Sequence, residues 1–383
     1  ALACPALHWP FESELDKAVR MRATSLYLPE GVSNMLPQSL GEGHYSLFAG
    51  ETRPALLVSC EIAPTGELIS CTPSAGLAKL AANLTYEDCE AALDGQETPA
   101  MPYLGQLRLA LELAEARQDF RVTSGAIIIN KPDQSITLLG DPDSADCRVV
   151  LGFEPEAPRA HLIVSEQMIA ANAGLAAWAD NQGAALIFRT QNVDVPPEAA
   201  GIWTDPLDIA RIVKFLAPAA LDTAPLPHVG VGEARYATVT SPLRRYPDLI
   251  NEAQILHLLE HGSPRWSKKE LEQILLFLGM RLDAAQTVQR LRTRYWKLVA
   301  LQQQGDIWRP GIITDENDSL LTINFPCDQL IVRGRRPLFP EGARPGVNVE
   351  ARLGRISPLM GDVALAEVRL PASPEANSES APC

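Results

Sequence analysis

Long apolar runs are missing from this sequence of 383 residues, and its few cysteines are not clustered. No stretch approaches the ~18 apolar residues that a membrane-spanning helix needs. The first residues show no charged segment followed by an apolar one, as an export signal would. The seven cysteines are scattered without a CxxC pair, which indicates reduced thiols rather than a zinc site or a disulfide framework. We therefore expect a cytoplasmic protein that does not bind membranes.

Positive charge is also scarce. The chain has 33 Lys and Arg residues against 47 Asp and Glu residues, which gives a net charge of −14 and a pI of about 5.0. This balance argues against unspecific binding to nucleic acids or to anionic membranes. An anionic ligand would therefore need a local cluster of basic side chains. The hydrophobic content of 46% suffices for a sizeable core, and the length allows for two or three domains.

Common catalytic signatures are absent as well. The sequence contains no P-loop, no dinucleotide-binding fingerprint and no recognisable Ser-His-Asp arrangement. Of its six histidines, only His257 and His261 have the i, i+4 spacing that could place two metal ligands on one helix face. Both lie near the predicted end of a helix, where a favourable contact with the helix dipole explains them. The function must therefore be sought in other motifs.

Apolar periodicity predicts a mixture of helices and strands over most of the chain. Two hairpins are expected, at 53–76 and 125–141, because β-rich runs there flank turn residues such as Pro and Gly. Ser267 and Glu270 form a capping box at the start of the longest helical pattern, which Gly305 ends. The other predicted helices cover residues 11–22, 100–118, 165–182, 206–216 and 248–261. Asp205 is expected to cap the fourth of these helices, and Gly262 is expected to end the fifth.

The pattern changes after Trp308 to short alternating strands with Gly and Pro turns. About five strands in ~65 residues are typical of an OB-type barrel, which often binds single-stranded nucleic acid. We therefore expect an α+β protein with a mixed domain at 1–304 and an OB-fold barrel at 305–370. The tail at 371–383 is rich in Pro, Ser, Ala and Glu and should be disordered.

The stretch TSPLRRYPDL places Arg244 and Arg245 between two prolines. A helix that begins near Pro247 would bring both guanidinium groups close to its N-terminus, where the helix dipole repels cations. A bound anion would offset this repulsion, and the two-pronged arginine side chain suits a phosphate. Internal salt bridges to some of the many acidic residues explain the pair equally well, and the sequence leaves both explanations open.

The longer segment YATVTSPLRRYPDLIN resembles the signature of the ribonuclease II/ribonuclease R (RNB) family of processive 3′→5′ exoribonucleases. Other segments follow in the family's order and with similar spacing: DKAVRMRATSLYLPEGVSNMLPQSL, LTYEDCEAAL, SEQMIAANAGLAAW and PHVGVG. The resemblance implies an RNB-type catalytic domain, incomplete at its N-terminus, followed by an RNA-binding OB barrel. It also implies hydrolysis of single-stranded RNA to nucleoside 5′-monophosphates. We expect a monomer whose partner is single-stranded RNA.

Three residues match functional positions of this family. Arg244 matches the arginine that contacts the phosphate next to the scissile bond, so the resemblance implies a catalytic role in stabilising transition-state charge. Tyr27 matches the tyrosine that stacks on the 3′-terminal base, and a packed core aromatic is the alternative. Arg245 is expected to bind substrate by holding the RNA backbone, or to pair with a neighbouring carboxylate.

The metal site of the family is not recognisable in this sequence. Family members resemble two-metal phosphodiesterases, in which an aspartate cluster holds magnesium ions a few dozen residues before the Tyr-x-Pro loop. Only 26 residues precede Tyr27 here, and their carboxylates Glu12, Glu14 and Asp16 are expected on the charged face of a helix. We therefore assign no metal ligand, expect magnesium to be held by residues outside the chain, and expect the chain alone to be inactive.

Three further features concern the fit to the family. Asp141, Asp143 and Asp146 have a spacing that could suit a hard cation, but a solvated turn rich in Asp and Pro is the preferred interpretation. Gln191 stands where the family often has a histidine, and Ala284 stands where an acidic residue is expected.

Two functions stay open: a piece of a 3′→5′ exoribonuclease, or a non-catalytic RNB-derived protein that binds single-stranded RNA.

Overall fold

The computed structural model describes residues 1–371, so most of the tail predicted to be disordered lies outside the described residues. None of the helices in this range is both long enough and apolar enough to span a bilayer. The helices are α1 (Glu14–Arg22), α2 (Tyr86–Leu93), α3 (Leu104–Thr123), α4 (Pro158–Asn181), α5 (Pro206–Ile212), α6 (Tyr246–His261) and α7 (Lys268–Gln304). The strands are β1 (Leu2–Ala3), β2 (Leu26–Leu28), β3 (Gly31–Ser33), β4 (Thr52–Ile62), β5 (Leu68–Lys79), β6 (Ile127–Ile129), β7 (Gln134–Leu139), β8 (Arg148–Phe153), β9 (Phe188–Thr190), β10 (Gly201–Trp203), β11 (Ala220–Asp222), β12 (Trp308–Glu316), β13 (Leu320–Phe325), β14 (Leu330–Arg335), β15 (Asn348–Ser357) and β16 (Asp362–Arg369).

Helix α6 forms the centre of the larger hydrophobic core. Apolar side chains of α1, α4 and α7 pack around it, among them Val19, Leu175 and Leu271. Its buried polar side chains are tied to the backbone of neighbouring segments, as buried polar groups must be. The Asn251 amide accepts a hydrogen bond from the Ile187 N–H at 2.8 Å and donates one to the Ile187 carbonyl at 2.8 Å. This pairing fixes the segment that leads into β9.

The last five strands form an antiparallel sheet in the order β14-β13-β12-β15-β16. The sheet nearly closes on itself, since a Cβ added to Gly334 in β14 would lie 2.6 Å from the Leu365 Cδ1 in β16. Leu298 and Leu301 of α7 belong to the core inside this sheet. The expected OB-type barrel is therefore confirmed, as is the α+β fold class. The domain division between 304 and 305 stays a prediction.

Helix α7 connects the two units. Its 37 residues give it a length of about 55 Å. The predicted capping box is confirmed: the Glu270 carboxylate accepts a hydrogen bond from the Ser267 N–H at 2.8 Å, and the Ser267 hydroxyl accepts one from the Glu270 N–H at 3.4 Å. Leu271 near the start packs in the larger core, and Leu298 near the end packs in the barrel. One continuous helix thus sets the position of the barrel.

One of the two predicted hairpins is confirmed and the other is wrong. Strands β4 and β5 pair antiparallel over the expected range. Strand β6, however, pairs in parallel with β10, and β7 pairs with β8. The Lys131-Pro132-Asp133 segment that resembled a hairpin turn therefore separates two different sheets. A short apolar run predicts a buried strand, but it carries no information on which distant strand will be its partner.

Candidate functional site

The two sequence segments with predicted site residues meet in the structure. An isolated antiparallel bridge pairs Thr24 with Arg245. The Ser25 N–H donates a hydrogen bond to the Arg244 carbonyl at 2.9 Å, and the Thr24 hydroxyl donates one to the same oxygen at 3.0 Å. Tyr27 follows directly in β2. Segments more than 200 residues apart in sequence thus form one backbone unit, which we call the arginine–tyrosine junction (residues 24–27 and 244–245).

The side chains of the two arginines differ in their environment. Arg245 occupies the position before α6 without a capping hydrogen bond from its side chain, and it makes a salt bridge to the Asp248 carboxylate with an Nη2–Oδ1 distance of 2.7 Å. Asp248 is fully buried, and burial raises its pKa even though the Arg245 charge acts in the opposite direction. Arg244 is exposed, and its guanidinium has neither a salt bridge nor a hydrogen bond within residues 1–371. Arg245 therefore fits the internal salt bridge, and Arg244 is open to a ligand.

Tyr27 lies on the surface. Its side chain is 48% exposed, which does not agree with the alternative of a packed core aromatic. The hairpin of β2 and β3 holds it, and its N–H donates a long hydrogen bond of 3.4 Å to the Gln289 carboxamide on α7. The ring is accessible for stacking, but its contact with a terminal base stays a prediction.

A groove of about 1450 Å³ runs along α7 from the arginine–tyrosine junction to the barrel. Thr24, Ser25 and Arg245 line one end, and Gln329 of the barrel lines the other. The basic side chains in its lining are Arg189, Arg245, Arg290, Arg294 and Lys297. The lining also contains four carboxylates, those of Asp222, Asp248, Glu272 and Asp283, and Asp248 is paired with Arg245. Positive charge is concentrated on the C-terminal half of α7, where three of these cations provide the local cluster that an anionic ligand requires.

Cations crowd together where the groove reaches the barrel. The Lys297 ammonium donates a hydrogen bond to the Gln329 carbonyl at 2.9 Å. Burial lowers the pKa of Lys297 to about 8, and the charges of Lys131 and Arg294 contribute to this lowering. The cations repel one another, and a bound anion would offset this repulsion. An extended polyanion lying in the groove would therefore be stabilised at this end.

The sequence departures Gln191 and Ala284 have different structural consequences. The Gln191 carboxamide accepts a hydrogen bond from the Gly230 N–H at 2.8 Å and donates one to the Ala217 carbonyl at 2.6 Å. Gln191 thus holds the PHVGVG loop in place. Ala284 is exposed on α7, and its neighbour Asp283 lines the groove. Ala284 itself offers no functional group to a ligand.

The PHVGVG loop is also fixed by two arginines of α3 that the sequence analysis missed. Arg117 is fully buried and pairs with Glu233 at an Nη2–Oε1 distance of 2.5 Å. Arg121 forms a buried pair with Glu166 and donates a hydrogen bond to the Val231 carbonyl. Buried arginines four residues apart in a helix, each with a carboxylate partner, anchor a loop rigidly. In the sequence, the one indication of these buried ion pairs was the presence of arginines at otherwise apolar helix positions.

His228 lies buried in the same loop. Burial lowers its pKa to about 4, and the nearby charge of Arg189 contributes to the lowering. Its Nδ1 accepts a hydrogen bond from the Val231 N–H at 3.3 Å. The imidazole therefore shapes the loop through its hydrogen bond to the Val231 backbone.

Asp16 was expected on the charged face of α1, and this expectation is wrong. Its carboxylate is fully buried. It accepts hydrogen bonds from the Trp9 indole N–H at 2.7 Å, the Glu12 N–H at 3.0 Å and the Tyr246 hydroxyl at 2.7 Å. Tyr246 directly follows the two arginines, so Asp16 fixes the position of the junction. Helical periodicity placed Asp16 beside Glu14, but the chain before α1 folds back over it.

The described residues do not fit a magnesium site. Within residues 1–371, no group of three or more His, Cys, Asp or Glu side chains could hold a metal ion. Asp141, Asp143 and Asp146 lie in an exposed turn, where the Asp143 N–H donates a hydrogen bond to the Asp141 carboxylate at 3.0 Å. This geometry agrees with the solvated turn that the sequence favoured.

Glu252 on α6 should make stability depend on pH. Burial raises its pKa well above the usual value of 4.5, so between 4.5 and the raised pKa the folded state binds more protons than the unfolded state. Stability must then fall as the pH rises through this range. We expect Glu252→Gln to unfold at the same temperature as the wild type near pH 4 and at a higher temperature above pH 7, as measured by circular dichroism.

Glu260→Gln provides the matched control for this prediction, because Glu260 lies on the same helix with its side chain 75% exposed. Its melting temperature should follow that of the wild type at every pH. A wild-type protein that gained stability relative to Glu252→Gln on going from pH 4 to pH 7 would contradict the expected sign of the pH dependence.

The fold and the groove define an α+β protein in which a groove with clustered cations at one end joins an OB-type barrel to an arginine–tyrosine junction. The model of the RNB domain matches residues 1–204 and 204–261. The chain therefore belongs to the RNB domain family, and the resemblance drawn from its sequence motifs is confirmed.

Two curated relatives illustrate this membership. An uncharacterized ribonuclease from Synechocystis sp. is 28% identical over 85% of this chain and 49% of its own length. Exoribonuclease 2 from Yersinia pseudotuberculosis is 30% identical over 73% of this chain and 48% of its own length. The chain spans about half the length of these curated relatives.

Solved structures show the same fold at low sequence identity. An active-site mutant of the Dss1 exoribonuclease from Candida glabrata superposes with a TM-score of 0.80 at 23% identity, covering 96% of this chain and 50% of that one. RNase R from Mycoplasma genitalium, in complex with ribose-methylated single-stranded RNA, superposes with a TM-score of 0.78 at 16% identity. The match covers 94% of this chain and 65% of that one. Yeast Ssd1, described as a pseudonuclease, superposes with a TM-score of 0.67 at 15% identity. The match covers 91% of this chain and 47% of that one.

Proposed function

We propose that this chain is part of a 3′→5′ exoribonuclease that degrades single-stranded RNA processively to nucleoside 5′-monophosphates. The observation that carries the proposal is a groove that runs from the arginine–tyrosine junction to a cluster of Arg290, Arg294 and Lys297 near the barrel, in a chain with a net charge of −14. Membership of the RNB domain family supports a ribonuclease function. The proposal includes a monomeric protein in the cytoplasm, which sedimentation and cell fractionation would test.

Each part of the site has a role in this proposal. The OB barrel and the cations at its end of the groove bind the RNA backbone, because phosphates offset their mutual repulsion. The exposed ring of Tyr27 stacks on the 3′-terminal base, a contact that tolerates any base. The free guanidinium of Arg244 stabilises the negative charge that develops on the phosphoryl oxygens in the transition state. Arg245 keeps the loop rigid through its salt bridge to Asp248.

The proposed reaction requires magnesium, although the described residues form no magnesium site. Bound magnesium ions would supply an activated water and stabilise the leaving oxygen, as in two-metal phosphodiesterases. Since residues 1–371 contain no ligand cluster, we propose that residues outside this chain hold the ions. The chain alone should then leave RNA intact when magnesium is added. Metal-dependent shortening of a labelled RNA from its 3′ end by the purified chain would disprove this part.

A second candidate function is binding of single-stranded RNA without catalysis. It is favoured by the lack of a metal-ligand group among residues 1–371 and by Ala284 at the position expected to be acidic. One of the structures with the same fold, yeast Ssd1, is a pseudonuclease. Both candidates require the same groove, and they differ only in whether the assembled site contains metal ligands.

RNA binding in the groove can be measured on the chain as it stands. Arg189 and Arg290 are exposed groove residues whose side chains have no ion pair within the described range. We expect the double variant Arg189→Ala/Arg290→Ala to bind labelled single-stranded RNA about tenfold more weakly and with a smaller salt dependence.

Tyr27→Ala should also weaken binding, by about 1–3 kcal/mol for one lost base stack, whereas Tyr27→Phe should bind like the wild type.

The matched control removes the same charge elsewhere. Arg108 and Arg148 are exposed, unpaired within the described residues and outside the groove. Arg108→Ala/Arg148→Ala should keep wild-type affinity if the groove binds RNA. Equal losses in both double variants, measured by fluorescence anisotropy at several salt concentrations, would show that only net charge matters and would remove the main support for the proposed function.

A further inference from the structure

Two cysteines face each other across the hairpin of β4 and β5. The strand register pairs Cys60 directly with Cys71. Both are free thiols of intermediate exposure, so small reagents can reach them. Residues directly opposite in an antiparallel pair have Cα atoms about 4.5–5.5 Å apart, and disulfides span Cα distances of about 4.4–6.8 Å. Residues paired in this way therefore lie within the range of Cα distances that a disulfide spans.

The two thiols are chemically unequal. Interaction with the neighbouring Cys71 thiol lowers the pKa of Cys60. The positive charge of Arg117 lowers it further, and the Arg117 Nε–H has no hydrogen-bond partner within residues 1–371. The neighbouring Cys60, together with burial, raises the pKa of Cys71. Since the thiolate is the nucleophile, Cys60 is the thiol that reacts first.

Packing against α4 holds Cys71 in place. A Cβ added to Gly174 would lie 2.7 Å from the Cys71 sulfur and 2.6 Å from its Cβ, so a side chain at this helix position would collide with the cysteine. Glycine thus allows the helix backbone to contact Cys71 directly. This contact fills the space on the helix side of the thiol, and Cys60 lies opposite on the neighbouring strand.

We propose that Cys60 and Cys71 are a redox site that forms a reversible disulfide when the protein meets a hydroperoxide. The Cys60 thiolate attacks the terminal peroxide oxygen, the O–O bond breaks, and the alkoxide leaves and takes up a proton, so that Cys60 becomes a sulfenic acid. The Cys71 sulfur then attacks the Cys60 sulfur, the S–O bond breaks, and water leaves with the Cys71 proton. The two electrons lost by the thiols reduce the peroxide, and a small thiol such as glutathione reverses the reaction by exchange.

The cross-link can be detected by digestion without reduction. Glu61 and Glu67 lie between the two cysteines, so cleavage after glutamate places Cys60 and Cys71 on different peptides. The folded chain is treated with limiting hydrogen peroxide, alkylated, denatured and digested. We expect the two peptides to stay linked by a disulfide that dithiothreitol removes. We also expect the free Cys60 thiol to disappear about tenfold faster than that of Cys89, whose pKa is raised by burial.

Three variants make the assignment specific. In Cys71→Ser, Cys60 should accumulate as a sulfenic acid that dimedone traps, with no linked peptides. In Cys60→Ser, the remaining Cys71 should react slowly and form no sulfenic acid at an early time. Cys89→Ser should form the link like the wild type. The proposal is overturned if both thiols are still alkylated after Cys89 has been oxidised, or if they become linked only after denaturation.

Discussion

Replacing Arg244 with alanine should lower the turnover of single-stranded RNA by about 100-fold or more in an active protein that contains this chain. The expected loss is large because the guanidinium has no ion pair or hydrogen bond within residues 1–371 and would act on charge that exists only in the transition state. RNA affinity should change far less, since the groove supplies most of the binding. Single-turnover kinetics together with equilibrium binding separate the two effects.

Two variants serve as controls for Arg244. Arg244→Lys should restore only part of the turnover, because a point charge lacks the fork geometry of the guanidinium. Arg245→Ala should mainly lower the melting temperature, since it leaves the buried Asp248 carboxylate without its salt bridge. If Arg244→Ala turned over RNA at nearly the wild-type rate, the catalytic assignment of Arg244 would be wrong.

Local signals in the sequence predicted the elements whose ends depend on local chemistry. Ser267 and Glu270 cap α7 as expected, and the Asp205 carboxylate caps α5 by accepting from the Leu207 N–H at 2.8 Å. Gly262 ends α6 with a φ of 66°, a value that glycine adopts without strain. These interactions involve residues only a few positions apart, so the sequence contains all the information they require.

Pairing between distant segments could not be predicted in the same way. The run Ile127–Ile129 forms a strand, but its partner is β10, more than 70 residues further along the chain. The predicted hairpin with the following segment was the simplest arrangement because local turns are common. The buried pair of Arg121 and Glu166 depends on the same kind of distant contact. Only the folded chain shows which charges become neighbours.

The arginine–tyrosine junction was predicted in part from local motifs and depends in part on contact between distant segments. Motif resemblance identified Tyr27, Arg244 and Arg245, and the structure brings their segments together through Thr24 and Ser25. The sequence could not separate the two arginines, because adjacent residues of one type carry no signal of which one faces inward. Asp248, three residues after Arg245, was the available clue, since i, i+3 pairs meet at the start of a helix.

Replacing Asp16 with alanine should lower the free energy of unfolding by at least about 3 kcal/mol, because three buried or partly buried donors would lose their acceptor. Tyr246→Phe should cost only about 1 kcal/mol, since it removes one donor and leaves the carboxylate with its other two bonds. Burial and the Asp16 carboxylate both raise the pKa of Tyr246, so the pair acts as one unit. Urea denaturation of both single variants and of the double variant would give the coupling energy between them.

Glu14→Ala is the matched control, because Glu14 lies two positions away on α1 with its side chain 90% exposed and only a surface ion pair to Lys17. It should cost no more than about 0.5 kcal/mol. If Asp16→Ala were as mild as Glu14→Ala, Asp16 would lie on the charged helix face that the sequence suggested, and the junction would need another anchor. A large loss in Asp16→Ala alone would mean that the carboxylate that positions Tyr246 also holds the backbone of the neighbouring arginines in place.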